Sequence, residues 1–205
     1  MAKPFKECAY CGRLTATDRE HVIPKALFHK EARKRAHFIL VPTCKPCNAS
    51  FSADEEDFRN FAVVAGPVNE ATNDLFWGPM QRAWEDVPKG LGSLRRLREK
   101  MKVTEPPDVP GTRVYPDARV MRVIRKMVRG LAYYHSKLIL PDERIEVDIL
   151  WYPIPEEYNE GPQWFVIEPH VCRYARIDEN MGDEVHSAWI LEIYQTRRFI
   201  AWIKK

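Results

Sequence analysis

Two Cys-x-x-Cys pairs, Cys8/Cys11 in ECAYCG and Cys44/Cys47 in TCKPCN, bracket a Glu20-His21 pair in REHVIP. A two-residue spacer lets both sulfurs of a knuckle turn toward one ion, and two knuckles complete the tetrahedral shell that zinc prefers. Such a shell has no open position, so it predicts a structural Zn2+ that staples two distant parts of the chain together. The competing reading is two disulfides or reduced core thiols. The fifth cysteine, Cys172, lies in the apolar-rich run WFVIEPHVCRY and is expected to be a buried, inert thiol.

The redox setting follows from the rest of the chain. No apolar stretch is long enough to cross a bilayer, and MAKPFKECAYCG lacks the apolar core of a signal peptide. The expectation is a cytoplasmic protein with no membrane partner, where thiols stay reduced and available to metal. Hydrophobic residues make up 45% of the 205, enough for a real core rather than a disordered chain.

The formal net charge of +3 conceals segregation. Residues 1–52 carry a net +6, residues 53–88 a net −6, residues 89–137 a net +9 and residues 138–205 a net −6. Basic blocks alternating with acidic ones point to a polyanion-binding surface on selected elements, with solvated helix faces as the bland alternative.

Periodicity predicts an α+β chain. LTATDREHVIP reads as a loop entering a short strand that carries His21, and HFILVPTC as a second strand feeding the second knuckle. Ser52 is placed to cap a helix whose first turn holds Asp54, Glu55 and Glu56. Residues 67–104 read as helical, broken or kinked at Gly78-Pro79, and TEPPDVPGTRVYP reads as a linker. Residues 117–138 form the clearest helix. Val120, Ile124, Met127, Val128 and Leu131 fall on one face, and Arg119, Arg122, Arg125, Lys126 and Arg129 on the other. RIEVDILWY, QWFVIEP, HSAWILEIY and RRFIAWI read as strands, the last two joined by a hairpin at Gln195-Thr196. The expected organisation is a zinc-stapled unit over residues 1–66, a helical connecting region over 67–104, and a C-terminal domain over 113–205. That last domain is a helix on a small antiparallel sheet, and a candidate for target recognition or homodimerisation.

In the order CAYCG, REHVIPKALF, VPTCKPCNASFSADEEDFR, residues 8–59 resemble an HNH endonuclease domain. The resemblance implies a ββα-metal fold, two strands and a helix gripping one catalytic divalent ion, Mg2+ or Mn2+, with the zinc knuckles stapling them. It implies His21 as general base, Glu20 as the acidic ligand before it, and Asn48 as the final ligand. Asn48 alternatively caps the following turn. The chemistry is coherent. A neutral imidazole can take a proton from water, and a hard cation held by carboxylate and amide oxygens can screen a phosphate. Adjacent strand residues point to opposite sides, so Glu20 and His21 share a site only at a bend or a strand end. One position departs from the pattern. The family's middle Asn, which orients the base, falls at Ile39, leaving a backbone carbonyl or His37 to do that work. His29, His135, His170 and His186 share no motif.

Two functions are therefore expected. The first is a phosphodiester hydrolase acting on nucleic acid, DNA in the first instance, with Arg122, Lys126 and Arg129 on phosphates. The alternative is a zinc-dependent nucleic-acid-binding module without catalysis, which Ile39 favours. A zinc-stapled interaction domain is a third reading that leaves Glu20-His21 unexplained.

Overall fold

Strand β1 (Asp18–His21) pairs antiparallel with β2 (Leu40–Thr43), setting Glu20 opposite Val41 and His21 opposite Leu40. Between them lie a 3-10 turn (Lys25–Leu27) and a short helix, α1 (Lys30–Arg35). After β2 come α2 (Lys45–Ala49) and α3 (Ser52–Val64). Ser52 is the first residue of α3 rather than a side-chain cap, since no side chain caps that helix. The computed structural model describes residues 6–86, 89–104, 111–151, 162–178 and 182–205.

The middle of the chain stays helical through α4 (Glu70–Leu75), a π-helical turn (Phe76–Met80), α5 (Gln81–Glu85) and α6 (Lys89–Lys100). Pro79 sits inside the π turn, whose wider spacing accommodates a residue without an N–H, so the chain is deflected there without ending. Asn69 and Thr72 start α4 with a reciprocal capping box. The expected linker is instead flanked by a hairpin, β3 (Met101–Thr104) paired with β4 (Gly111–Val114); residues 105–110 of that segment lie outside the described residues.

Helix α7 (Ala118–Ser136) is the spine of the molecule. The Asp117 carboxylate accepts the Val120 N–H at 3.0 Å to start it, and Lys137 in the left-handed region (φ 55°) ends it. One side packs on α3 and the β1–β2 hairpin. The other packs on a five-stranded antiparallel sheet of β5 (Ile145–Leu150), β6 (Trp164–Glu168), β7 (Cys172–Ile177), β8 (Val185–Ile193) and β9 (Arg197–Lys204), ordered β5-β9-β8-β7-β6. Strand β7, CRYARI, carries Arg173 and Arg176 three positions apart and so on opposite faces, which breaks the apolar alternation, and the sequence pattern passed it by. Tyr194 and Gln195 (φ 48° and 67°) form the turn joining β8 to β9, as the Gln195-Thr196 signal predicted.

The segments share one hydrophobic cluster running from Cys8 to Ile203. Polar ties reinforce it. Buried Arg197 donates to the carbonyls of Val63, Gly66 and Pro67, satisfying the C-terminal end of α3. The Tyr194 hydroxyl donates to Leu27 O at 2.8 Å.

Candidate metal and nucleic-acid site

The four knuckle sulfurs come together although 33 residues separate Cys11 from Cys44. All four lie within 4.8 Å of one another, and Cys11 Sγ is 3.8 Å from Cys44 Sγ. Zn–S bonds of about 2.3 Å in a tetrahedron put sulfurs about 3.8 Å apart, so this cluster is able to hold a structural metal such as zinc. The local backbone explains the convergence. Gly12, at φ 73°, turns the first knuckle back so that its N–H reaches Cys8 O at 2.9 Å. Ala9 N–H donates to Pro42 O, tying that knuckle to β2, and Cys44 N–H donates to Cys8 Sγ at 3.4 Å. Burial pushes the Cys8 thiol up, yet backbone hydrogen bonds from Cys11, Cys44 and Tyr10 outweigh it and bring it down to about 6. That lowering favours the Cys8 thiolate, the form that binds metal, while Cys11 and Cys47 are pushed up. Cys172 is buried, and burial raises its thiol further.

Glu20 and His21 sit at the end of β1 and leave it on opposite sides. Glu20 turns inward and is 8% exposed. His21 is half-buried, with its ring edge-to-face on Phe38 at 5.0 Å. Burial first, then Lys25 and Lys126, lower the His21 pKa, which favours the neutral imidazole. No hydrogen bond reaches the His21 ring from any described residue. Ile39 is buried, with its carbonyl accepting from Val22 N–H, and exposed His37 spends its backbone N–H on Ile167 O. Phe38, between these two, is what braces the ring.

Much of the basic face of α7 is engaged inside the fold. Lys126 is fully buried, and its ammonium donates to Glu20 Oε1 at 2.6 Å, to Glu55 Oε1 at 2.5 Å and to His21 O at 3.1 Å. Arg122 pairs with Asp54 and donates to Ser50 O. Arg129 donates to Leu140 O and Tyr10 O and pairs with Asp142. These three side chains hold α7 against α3 and the knuckle unit instead of forming an open face. The alternating charge blocks have the same origin. Asp57 of the acidic block meets Arg96 and Arg119 of the basic one at 2.8 and 3.1 Å. Complementary blocks pack on each other, a long-range arrangement that net charge along a chain does not reveal.

Glu55 is the site residue that sequence reasoning missed, because a glutamate in a first helical turn reads fully as dipole complement. Burial raises its carboxyl, and Lys126 opposes that shift. Asn48 lies in α2, its backbone N–H bonded to Cys44 O as an ordinary helix turn. Among the described residues the four-cysteine group is the one set of three or more His, Cys, Asp or Glu with converging ligand atoms, and Glu20, His21 and Asn48 share no hydrogen bond. No family model, curated protein or solved structure matches this chain. No described helix is long and apolar enough to cross a membrane.

Proposed function

We propose that this chain is a metal-dependent HNH-type endonuclease that hydrolyses phosphodiester bonds in DNA, its ββα-metal unit formed by β1, β2 and the helices after the second knuckle. The observation that carries the reading is the pairing of β1 with β2. It sets Glu20-His21 beside the strand that ends in the four-cysteine cluster. In this reading His21, neutral near pH 7, takes the proton from the attacking water at a ring nitrogen, and Phe38 limits the rotation of the ring. Glu20 and Asn48 offer the carboxylate and amide oxygens that Mg2+ or Mn2+ takes, and such an ion supplies charge stabilisation at the phosphate when bound. That donor chemistry fits a hard cation, although one oxygen of Glu20 is engaged by Lys126.

The binding-module reading is favoured by that same engagement, and by the lack, among the described residues, of a hydrogen-bonding partner that fixes the His21 tautomer. Plasmid incubated with zinc-loaded protein and Mg2+, Mn2+ or neither separates the two. Cleavage that His21→Ala reduces by about a hundredfold or more, with zinc content and DNA binding intact, supports the nuclease. Binding without cleavage under any metal supports the module. Cleavage at the parental rate by His21→Ala removes His21 from the mechanism.

A further inference from the structure

With Arg122, Lys126 and Arg129 paired inside the fold, a nucleic-acid partner needs another cationic surface, and the β3–β4 hairpin supplies one. Lys102 and Arg113 stand directly opposite each other across the two strands, so both project from the same face. Like charges in that position destabilise a hairpin, and both side chains are exposed. Among the described residues neither pairs with a carboxylate. Each instead lies against an aromatic ring, Lys102 at 5.3 Å from Tyr115 and Arg113 at 5.5 Å from Trp151. The two rings pack on each other at 5.2 Å, and Trp151 remains 40% exposed.

Beside this face opens a cavity of about 460 Å3 lined by Arg96, Glu99, Lys100, Lys102, Tyr115, Asp117 and Arg119. Its carboxylates are already engaged, Glu99 by Arg95 at 3.0 Å. Asp117 holds Lys100 at 2.7 Å and caps α7, and the neighbouring Asp57 holds Arg96 and Arg119. These pairs leave Arg119 with 48% of its side chain exposed at the rim. Cations interleaved with aromatic rings around a polar hollow match a phosphate backbone with accessible bases.

We propose that the β3–β4 hairpin and this cavity are the surface that binds a nucleic-acid strand. Lys102, Arg113 and Arg119 take backbone phosphates, and Trp151 stacks on an unpaired base. The assignment rests on the nuclease reading for its class of partner and gives that reading the strand contact that Arg122, Lys126 and Arg129 do not provide.

The test is fluorescence anisotropy of zinc-loaded protein with fluorescein-labelled single-stranded and duplex DNA, without added Mg2+ or Mn2+, over a salt series. Lys102→Gln with Arg113→Gln is expected to flatten the slope of log affinity against log salt by about 1.4 on single strands. It is expected to leave Tm unchanged or raised, because a repulsive pair is removed. Trp151→Ala is expected to lower single-strand affinity about tenfold, and Trp151→Phe to keep most of it. An unchanged slope and affinity in these variants, with the parent binding DNA, overturns the surface and leaves the nuclease reading standing. A parent that binds no DNA overturns both. Heparin bound as tightly as DNA, with Trp151→Ala altering neither, marks a general polyanion surface and also overturns the assignment.

Discussion

The ammonium of Lys126 lies 2.6 Å from a carboxylate oxygen of Glu20, and the lysine has no exposed surface. A cation without water must be matched by nearby anions, and Glu20 and Glu55 do this from two different elements, β1 and α3. The triad therefore fixes where the candidate catalytic strand sits on α7. It also couples the stability of the fold to the residue proposed to carry chemistry.

Lys126→Ala strands two carboxylates in the interior. Removing one partner of a buried ion pair is expected to destabilise by about 3–5 kcal/mol. Lys126→Met combined with Glu20→Gln and Glu55→Gln should recover most of that loss, because no charge remains buried. Urea unfolding midpoints of the two variants decide the point; equal midpoints would mean that the triad is wet and weak.

Metal removal should separate the cysteines into two classes. With metal bound, one ion per chain is expected and thiol reagents should find no fast-reacting group. After chelation Cys8, Cys11, Cys44 and Cys47 should react, while Cys172, 2% exposed, should wait for unfolding. Timed thiol titration beside elemental analysis reads this. A metal-free native protein with five equally slow thiols contradicts it.

At Gly130 the helix approaches β1's exit so closely that an added Cβ would meet Val22 side-chain carbons at 2.8 and 2.9 Å. Helix propensity alone favours alanine by about 1 kcal/mol, so the sign of the change is diagnostic. Gly130→Ala is expected to destabilise the protein, and Val22→Ala in the same chain to relieve the clash. Thermal unfolding of both variants checks this, and a stabilised Gly130→Ala would show that α7 and Val22 are further apart.

His135 introduces a pH dependence at the opposite side of α7. Its Nε2 lies 2.9 Å from the Tyr174 hydroxyl, among Phe165 and Trp189. Burial first, then Arg176, lower its pKa below 6.5, against the pull of Asp178. The unfolded chain therefore binds the proton more readily than the folded one. The stabilisation is fully present above about 6.5 and is lost as pH falls through the lower folded value. His135→Gln should flatten the Tm profile between pH 7 and 5. A parallel profile would place the acid sensitivity elsewhere.

Much of this protein is written in local pattern. The spacing of four cysteines specifies a metal knuckle pair because two-residue spacers leave few other geometries. The 3.6-residue repeat from Val120 to Leu131 specifies α7, and the Gln195-Thr196 turn specifies the last hairpin. Each knuckle, the helical repeat and the turn lie within a dozen residues, where backbone stereochemistry acts directly. What α7 does with its other face was not legible, because an arginine or lysine at helical spacing reads the same toward solvent or toward a buried glutamate. Only the folded chain brings Lys126 to Glu20 across 106 positions, Arg119 to Asp57 across 62, and leaves Lys102 and Arg113 to face solvent. Burial decides which of these charges must find a partner, and burial is a property of the assembled layers rather than of any segment.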